Sequence, residues 1–305
     1  MMVTFSRRHP LRVALVVVLL LITGISIRQL GYTEVIHLSS VPIEILRHCP
    51  PTELDNPPRV LSPTIPNIIH QIWKSSDVST YPAIASHESW RAMFSPLNYT
   101  VKLWTDDDLS RLIATKYAWL SSTYSNYRHN IQRADLARLV VIHAEGGIYA
   151  DLDVHPRSVE EVACLQYLGL QTAFGPTSGT SGLSNHFFMG ERGSDFLEWS
   201  LQEAKRRSGS ANQILLPYLR VFWSTGPLML TAAFRKYAWM YGTEQTRNSL
   251  LSEDYAGKVF GHAAGRSWHG ADGYALNYFQ DHVGGNGVWI VTAVLGSTLV
   301  TLFPT

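Results

Sequence analysis

Hydrophobic and polar positions along the chain alternate between patterns typical of strands and patterns typical of helices. The short apolar run 65–73 predicts a first buried strand, and the alternation from Tyr99 to Trp104 predicts a second. Thr105 is followed by three aspartates, which indicates a capped helix start, because acids stabilise the positive end of the helix dipole. Strands separated by helices predict an α/β fold.

The centre of the chain continues this alternation. Arg128 to Glu145 is predicted to form one helix, which Gly146 and Gly147 end as a left-handed cap. A strand from Ile148 to Val154 is predicted to follow. Because open α/β sheets bind ligands beyond the carboxyl ends of their strands, polar residues at the end of this strand are the first candidates for a site.

That strand carries two carboxylates. Side-chain alternation places Tyr149, Asp151 and Asp153 on one face. Two carboxylates this close repel each other and are costly to desolvate unless a positive charge lies between them. A divalent cation with a preference for oxygen ligands, Mg²⁺ or Mn²⁺, supplies that charge and can bridge to a nucleotide diphosphate.

The preceding helix carries a second charged pair. Ile131, Asp135, Arg138 and Ile142 follow one another at helical spacing and therefore lie on one stripe. In isolation, Asp135 and Arg138 would be interpreted as a structural ion pair. Their position directly before the two strand carboxylates predicts ligand contacts instead.

Both ends of the chain are uncharged. Val13 to Ile27 has no charged residue and is flanked by arginines, which predicts an uncleaved membrane anchor with a cytosolic N-terminus; a cleaved signal peptide is the alternative. Val288 to Thr305 predicts either a second membrane segment or a buried strand pair. Six prolines between 31 and 64 indicate a stem. The predicted division is a tail and anchor (1–30), the stem (31–64), a catalytic domain (65–287) and the second membrane segment (288–305).

Composition narrows the classes of partner. Charged residues are only 16% of the chain, and the net charge is +1. Four arginines fall in the first thirty residues, so the remainder is mildly acidic, which excludes non-specific nucleic-acid binding. Cys49 and Cys164 are too few for a disulfide framework or a zinc-thiolate cluster, and two buried thiols are predicted, with one disulfide as the alternative.

Six motifs, spread in order over residues 65 to 272, resemble the DXD-containing glycosyltransferases of family 32. Within that family they are most similar to fungal inositol-phosphoceramide mannosyltransferase catalytic subunits; Golgi α-1,6-mannosyltransferases that act on protein N-glycans are the alternative. The motifs are Ile65-Pro-Asn-Ile-Ile-His-Gln-Ile-Trp73, Arg133-Ala-Asp-Leu-Ala-Arg138, Glu145-Gly-Gly-Ile-Tyr-Ala-Asp-Leu-Asp153, Asn185-His-Phe-Phe-Met-Gly190, Ser224-Thr-Gly-Pro227 and Gly265-Arg-Ser-Trp-His269.

The resemblance implies a GT-A type fold with a mixed central sheet and retaining transfer of a hexose. The expected donor is GDP-mannose, the expected acceptor an inositol-phosphoceramide lipid of sphingolipid metabolism, and the expected cofactor Mn²⁺ or Mg²⁺. The implied catalytic residues are Asp151, Asp153 and Arg138, with the two aspartates on the metal. The implied donor contacts are Asp135, Arg138, Tyr149, Ile69, Trp73, Ser267 and Trp268, and the third metal ligand is His269, with His262 as the alternative.

The resemblance also implies a Golgi or other secretory-pathway membrane, a lumenal catalytic domain and a regulatory membrane subunit as a partner. Two other functions stay open at this point. One is a non-catalytic, lectin-like subunit of a glycosyltransferase complex. The other is a metal-dependent phosphotransferase with Asp151 as nucleophile, against which the absence of a Gly-rich phosphate loop argues. Specificity is expected in a loop at Phe174 to Asn185, and 272–287 is expected to be a lid or a linker.

Overall fold

The helices and strands follow the predicted alternation. A computed structural model describes residues 8–33, 44–50, 63–177, 180–242 and 247–263. The helices are α1 (Arg8–Leu30), α2 (His87–Phe94), α3 (Asp106–Lys116), α4 (Ala118–Asn126), α5 (Asn130–Glu145), α6 (Val159–Tyr167), α7 (Asp195–Ala211), α8 (Pro217–Ser224), α9 (Pro227–Tyr241) and α10 (Glu253–Val259). The strands are β1 (Glu44–Leu46), β2 (Ile68–Ile72), β3 (Thr100–Trp104), β4 (Gly147–Ala150), β5 (Val154–Pro156), β6 (Thr172–Thr177), β7 (Thr180–Gly190), β8 (Asn248–Leu251) and β9 (Phe260–His262).

One mixed sheet forms the centre of the described part of the chain. Its strand order is β1-β8-β6-β7-β4-β2-β3. Strand β7 runs antiparallel to both of its neighbours, β4 and β6, whereas the other pairs are parallel. Strands β5 and β9 form a separate antiparallel pair. The prediction of an α/β domain around a mixed sheet is confirmed.

Helices cover the sheet on both faces. Helices α3, α4, α5, α7 and α9 pack on one face together with Tyr149 and Phe188. Helices α2, α6 and α10 pack on the other face together with Ile148 and Phe187. Most residues of helix α5 are buried, Leu136 and Leu139 in the hydrophobic core and also the polar Gln132, Asp135 and Arg138. Successive residues of β4 therefore point into two different hydrophobic cores.

The predicted cap at the start of α3 is present. The side chain of Thr105 accepts from the backbone N–H of Asp108, whose carboxylate accepts from the backbone N–H of Thr105, so α3 begins with a capping box. Gly146 ends α5 as predicted, but with φ 68° and ψ −179° it adopts an extended positive-φ conformation that favours glycine, not the left-handed helical one of the predicted cap. At Gly147, with φ 111°, a Cβ would lie 2.4 Å from the carbonyl oxygen of Ile68, so this close approach of β4 to β2 requires glycine.

Two local predictions are wrong. The strand predicted from Ile148 to Val154 ends at Ala150 and a turn separates it from β5, because the backbone N–H of Val154 donates to the carbonyl of Asp151. In the segment from Phe174 to Asn185, expected to be a loop, the described residues 174–177 and 180–185 lie in strands β6 and β7, with a register shift after Phe174.

The predicted stem contributes to the folded domain. Strand β1 pairs parallel with β8 at the edge of the sheet, so the domain does not begin at Ile65. Cys49, just after β1, forms a disulfide with Cys164 on α6, and their Cα atoms are 6.2 Å apart. The prediction of two free buried thiols is therefore wrong, and the alternative of one disulfide is confirmed.

The structure describes the uncharged run near the N-terminus but not the one at the other end of the sequence. The N-terminal apolar run lies in helix α1. Among the described residues, no helix combines the length and the apolar character needed to cross a membrane. The predicted lid or linker (272–287) and the predicted second membrane segment (288–305) lie outside the described residues.

One buried histidine makes stability depend on pH. His70 has no exposed surface, and its Nε2 is 2.9 Å from the carbonyl oxygen of Gly146. Burial lowers the pKa of His70 from 6.5 to about 4. The unfolded chain therefore binds a proton between pH 6.5 and pH 4 that the folded chain does not, so stability falls as the pH falls through this range. At pH 5 the cost is about 2 kcal/mol.

The matched variant is His70→Gln, which keeps a donor for the Gly146 carbonyl but does not titrate. Urea unfolding of the detergent-solubilised full chain at pH 7 and pH 5 measures both proteins. The parent chain is expected to lose about 2 kcal/mol more than the variant between the two pH values. Equal losses would show that the His70 imidazole is not the group that titrates.

Candidate active site

The predicted carboxylates lie at the carboxyl edge of the central sheet. Strands β2 and β4 are parallel neighbours, so Trp73, after β2, and Asp151, after β4, follow the same ends of adjacent strands. Strand β7 arrives from the opposite direction beside β4. The backbone N–H of Asp151 donates to the carbonyl of His186 at 2.9 Å, which fixes the start of the turn. The position agrees with the expectation for ligand sites in open α/β sheets.

Arg138 is the central cation of this site. Its guanidinium lies 3.2 Å from a carboxylate oxygen of Asp151 and 3.5 Å from one of Asp135. It also donates to the carbonyl of Asn185 at 2.9 Å, and it lies 5.0 Å from the centre of the Tyr149 ring. The Arg138 side chain is only 5% exposed. The predicted clustering of Asp135, Arg138, Tyr149 and Asp151 is present, with one buried guanidinium between two carboxylates.

Asp135 is held by residues from two distant segments. One carboxylate oxygen accepts from Nδ2 of Asn185 at 2.9 Å, and the other accepts from Oγ1 of Thr225 at 3.0 Å. Burial raises the pKa of Asp135 to about 6, although Arg138 and these two donors oppose the shift. No role was predicted for Asn185 or Thr225 from the sequence. What could have indicated these two residues in the sequence is that they lie in the motifs 185–190 and 224–227.

Asp151 is a constrained carboxylate. One oxygen accepts from the hydroxyl of Tyr149 at 2.7 Å, and the other faces Arg138. Burial raises the pKa of Asp151; Arg138 opposes the shift, and the nearby charge of Asp153 adds to it. Burial likewise raises the pKa of Tyr149 well above its ordinary value, so Tyr149 is a hydrogen-bond donor here. The repulsion between the two aspartates that the sequence predicted is therefore present.

Asp153 lies beside a pair of stacked histidines. One of its oxygens is 3.5 Å from Nε2 of His262, on β9. The His262 ring stacks on that of His186, with ring centres 4.1 Å apart. Burial lowers the pKa of His186 to about 3, so this ring is neutral. Of the two predicted alternatives for a third metal ligand, His262 lies next to Asp153, whereas His269 lies outside the described residues, as do Ser267 and Trp268.

Two of the predicted donor contacts on the first strand differ in their surroundings. Trp73 is half-buried, packs edge-on against Tyr81 with ring centres 5.1 Å apart, and donates to Thr80. Burial, together with the charges of Asp153 and Asp151, raises the pKa of Tyr81, so this aromatic pair lies within reach of the site's electrostatic field. Ile69, in contrast, has no exposed surface and packs in the hydrophobic core. Tyr81 carried no sequence signal of its own.

The side chains of Asp151 and Asp153 suit a divalent cation whose coordination is completed by the substrate. Among the described residues, no group of three or more histidine, cysteine, aspartate or glutamate side chains is arranged to hold a metal ion by itself. Magnesium sites for nucleotides do not require such a cage, because one or two carboxylates and the substrate phosphates suffice. Asp151 and Asp153 are two carboxylates in one turn that repel each other. They fit the group that the sequence predicted.

Residues 82–163 match a family model described as a glycosyltransferase sugar-binding region containing a DXD motif. The matched segment contains Asp135, Arg138, Asp151 and Asp153. With the mixed sheet, this match supports a GT-A-like glycosyltransferase fold.

Curated relatives match a larger part of the chain. Inositol phosphoceramide mannosyltransferase 3 of Schizosaccharomyces pombe is 32% identical over 243 residues, which are 77% of this chain and 63% of that protein. Mannosyl phosphorylinositol ceramide synthase CSH1 of Saccharomyces cerevisiae is 27% identical over 245 residues, which are 76% of this chain and 59% of that protein. This chain thus spans less than two thirds of the length of either relative. Among solved structures, the PaToxG glycosyltransferase is 15% identical with a TM-score of 0.43, over 58% of this chain and 72% of that one.

Proposed function

Because this chain contains a DXD glycosyltransferase sugar-binding region, we propose that it is a retaining, metal-dependent mannosyltransferase. Its donor is GDP-mannose, and its acceptor is a lipid of the inositol-phosphoceramide type. The observation that carries the proposal is the buried arrangement of Arg138 between Asp135 and Asp151, inside the matched segment. The printed names of the relatives, inositol phosphoceramide mannosyltransferase and mannosyl phosphorylinositol ceramide synthase, support the sugar and the acceptor.

Asp151 and Asp153 hold the divalent cation in this proposal. When bound, Mn²⁺ or Mg²⁺ neutralises charge on the donor's diphosphate and so stabilises the leaving group. The turn needs this positive charge because Arg138 is shared between Asp151 and Asp135, while the charge of Asp153 adds to that of Asp151. Tyr149 keeps one oxygen of Asp151 in a fixed direction through its hydroxyl.

Arg138 and Asp135 hold the donor sugar, and Arg138 also stabilises the departing diphosphate. The guanidinium is fixed before the reaction by Asp135, Asp151 and the carbonyl of Asn185, so no reorganisation is needed when charge builds on the departing diphosphate. The surrounding carboxylates favour a sugar that gains positive character as its bond to the diphosphate breaks. The acceptor hydroxyl forms the new bond to the anomeric carbon, and its proton passes to the leaving phosphate oxygen, which needs no separate protein base.

The protein operates at a secretory-pathway membrane in this proposal, with its catalytic domain in the lumen. Helix α1 exposes large apolar side chains, including Leu20 at 66% and Ile27 at 65%. Exposed apolar surface on this scale indicates a membrane or a partner that covers it. The Cys49–Cys164 disulfide is of the kind that persists in an oxidising compartment such as the secretory lumen.

A donor screen on membranes from cells that express the full chain tests the proposed function. GDP release from GDP-mannose is expected to require inositol phosphoceramide. EDTA is expected to reduce this release to background, and added Mn²⁺ to restore it. UDP-galactose and UDP-N-acetylglucosamine are the control donors. The product is expected to be an acid-stable mannoside with the donor's α configuration, measured by NMR.

Each contrary result of this screen would overturn a different part of the proposed function. Transfer from a UDP-sugar alone would overturn the proposed donor. An inverted anomeric configuration would overturn the retaining mechanism. Binding of sugar without any turnover would favour the non-catalytic, lectin-like subunit instead.

A further inference from the structure

A polar cavity lies at the start of α5, the helix that carries Asp135 and Arg138. It has a volume of about 200 Å³ and lies between α4, α7, α8 and the start of α5. Two arginines, a hydroxyl and three amides are among the groups that line it, and none of the described lining residues is acidic. Those residues are Ser122, Asn126, Arg128, Gln132, Asn212 and Arg220. Such a lining is complementary to an anion that also carries hydroxyl groups.

The two arginines make the cavity locally cationic. Arg220 is 6% exposed, and its Nε and Nη2 donate to the carbonyl of Ile214 at 3.2 and 2.6 Å, which fixes its direction. Burial, followed by the charge of Arg128, lowers the pKa of Arg220, which indicates that the two cations are close. Arg128 is exposed at the cavity. An anion between the two guanidinium groups would relieve their repulsion.

The cavity is coupled to the candidate donor site through one helical turn. Gln132 lines the cavity and precedes Asp135 by three residues on α5, so both lie on the same stripe of the helix. Nε2 of Gln132 donates to Ser224 at 2.7 Å, and the neighbouring Thr225 donates to Asp135 at 3.0 Å. A chain of hydrogen-bonded neighbours on α5 and at the end of α8 thus connects the cavity lining to Asp135.

The cavity is also adjacent to exposed apolar surface. Leu215 is 62% exposed and Leu216 is 39% exposed, and they lie between Asn212 and Arg220 in the chain. Helix α1 ends at this loop: Arg28 donates to Gln213 at 2.6 Å. Gln29 accepts from the backbone N–H of Leu215 at 2.9 Å, which ties the apolar helix to the same place.

The geometry points to this cavity as the binding site for the phosphorylated polyol headgroup of the acceptor lipid. The inference deepens the proposed function and rests on its lipid acceptor. Arg128 and Arg220 take the phosphate, while the amides and hydroxyls take the polyol. The lipid tails leave over the exposed Leu215 and Leu216, beside the apolar helix α1. A headgroup hydroxyl is then delivered toward the donor sugar.

The test uses the exposed arginine, because Arg220 is tied into the fold. Arg128→Gln removes the cation, Arg128→Lys keeps it, and Arg91→Gln is the matched control at an exposed arginine on α2 that pairs with Glu88. The probe is myo-inositol 1-phosphate, titrated into the detergent-solubilised full chain by calorimetry. Arg128→Gln is expected to bind it about tenfold more weakly, since a charged hydrogen bond is lost. The other two variants are expected to bind it as the parent chain does, to within a few-fold.

Two further comparisons complete the test. One distinguishes a headgroup site from a general phosphate site, and the other distinguishes failure of this site from failure of the proposed function. Inorganic phosphate is expected to bind much more weakly than inositol phosphate; equal affinity would mean an unspecific anion site and overturn the inference. In transfer assays, Arg128→Gln is expected to raise the KM for the lipid and leave the KM for GDP-mannose unchanged. Equal inositol phosphate affinity in Arg128→Gln and the parent chain, with transfer intact in both, would overturn the headgroup site alone. If Arg128→Gln weakens inositol phosphate binding but the parent chain transfers no mannose, the headgroup site stands and the proposed function is overturned.

Discussion

Replacing Arg138 by methionine is expected to lower the free energy of unfolding by about 3–5 kcal/mol, because a buried ion pair that loses one partner leaves uncompensated charge. Asp135 and Asp151 both face this guanidinium, at 3.5 and 3.2 Å, and Asp135 is almost fully buried. Methionine fills a similar volume, so a cavity contributes little to the loss. Urea unfolding of the detergent-solubilised full chain measures the change.

The pH dependence of the destabilisation in Arg138→Met shows whether buried charge causes it. Burial already raises the pKa of Asp135 to about 6, and removal of Arg138 raises it further. The destabilisation is therefore expected to shrink as the pH falls toward 5, where Asp135 takes up a proton and no longer carries a buried charge. The double variant Asp135→Asn with Arg138→Met is expected to recover part of the stability. A loss that is independent of pH and unchanged in the double variant would show that packing, not charge, explains the effect.

The parts of the fold that the sequence predicts are those encoded by short-range signals. The cap at Thr105, the glycine that ends α5 and the spacing of Asp135 and Arg138 each depend on residues within one helical turn. The two predicted carboxylates lie in one turn, beside the pair on α5. The interruption of the strand after Ala150 was missed, because an alternating pattern does not distinguish one strand from two that a tight turn separates.

Long-range pairing accounts for most of the remaining errors. Asn185 and Thr225 hold Asp135 from 50 and 90 residues away along the chain, and no local pattern encodes such contacts. The segment from Phe174 to Asn185 is rich in glycine and serine, which favours a loop, yet pairing between β6 and β7 makes its described residues strand. The disulfide likewise joins residues separated by 115 positions.

Replacing Asp151 or Asp153 by asparagine is expected to reduce mannosyl transfer by about a hundredfold or more, the scale of losing one preorganised electrostatic group at developing charge. Asparagine keeps the shape of the turn but removes the negative charge that the cation requires. Burial and the charge of Asp153 raise the pKa of Asp151, so a carboxylate that is costly to bury is removed, and Arg138 keeps Asp135 as its ion-pair partner. The variants are therefore expected to stay folded while transfer is lost, which distinguishes loss of a site from loss of the fold.

The matched control is Asp107→Asn, at an exposed aspartate in the first turn of α3, which is expected to transfer mannose as the parent chain does. Binding of Mn²⁺ in the presence of GDP, measured by the paramagnetic relaxation of water protons, is the second readout. It is expected to weaken in both site variants and not in the control. Full transfer activity in either site variant would overturn the assignment of the two aspartates. Lost transfer with unchanged Mn²⁺ binding would instead place their role on the sugar, beside Asp135 and Arg138.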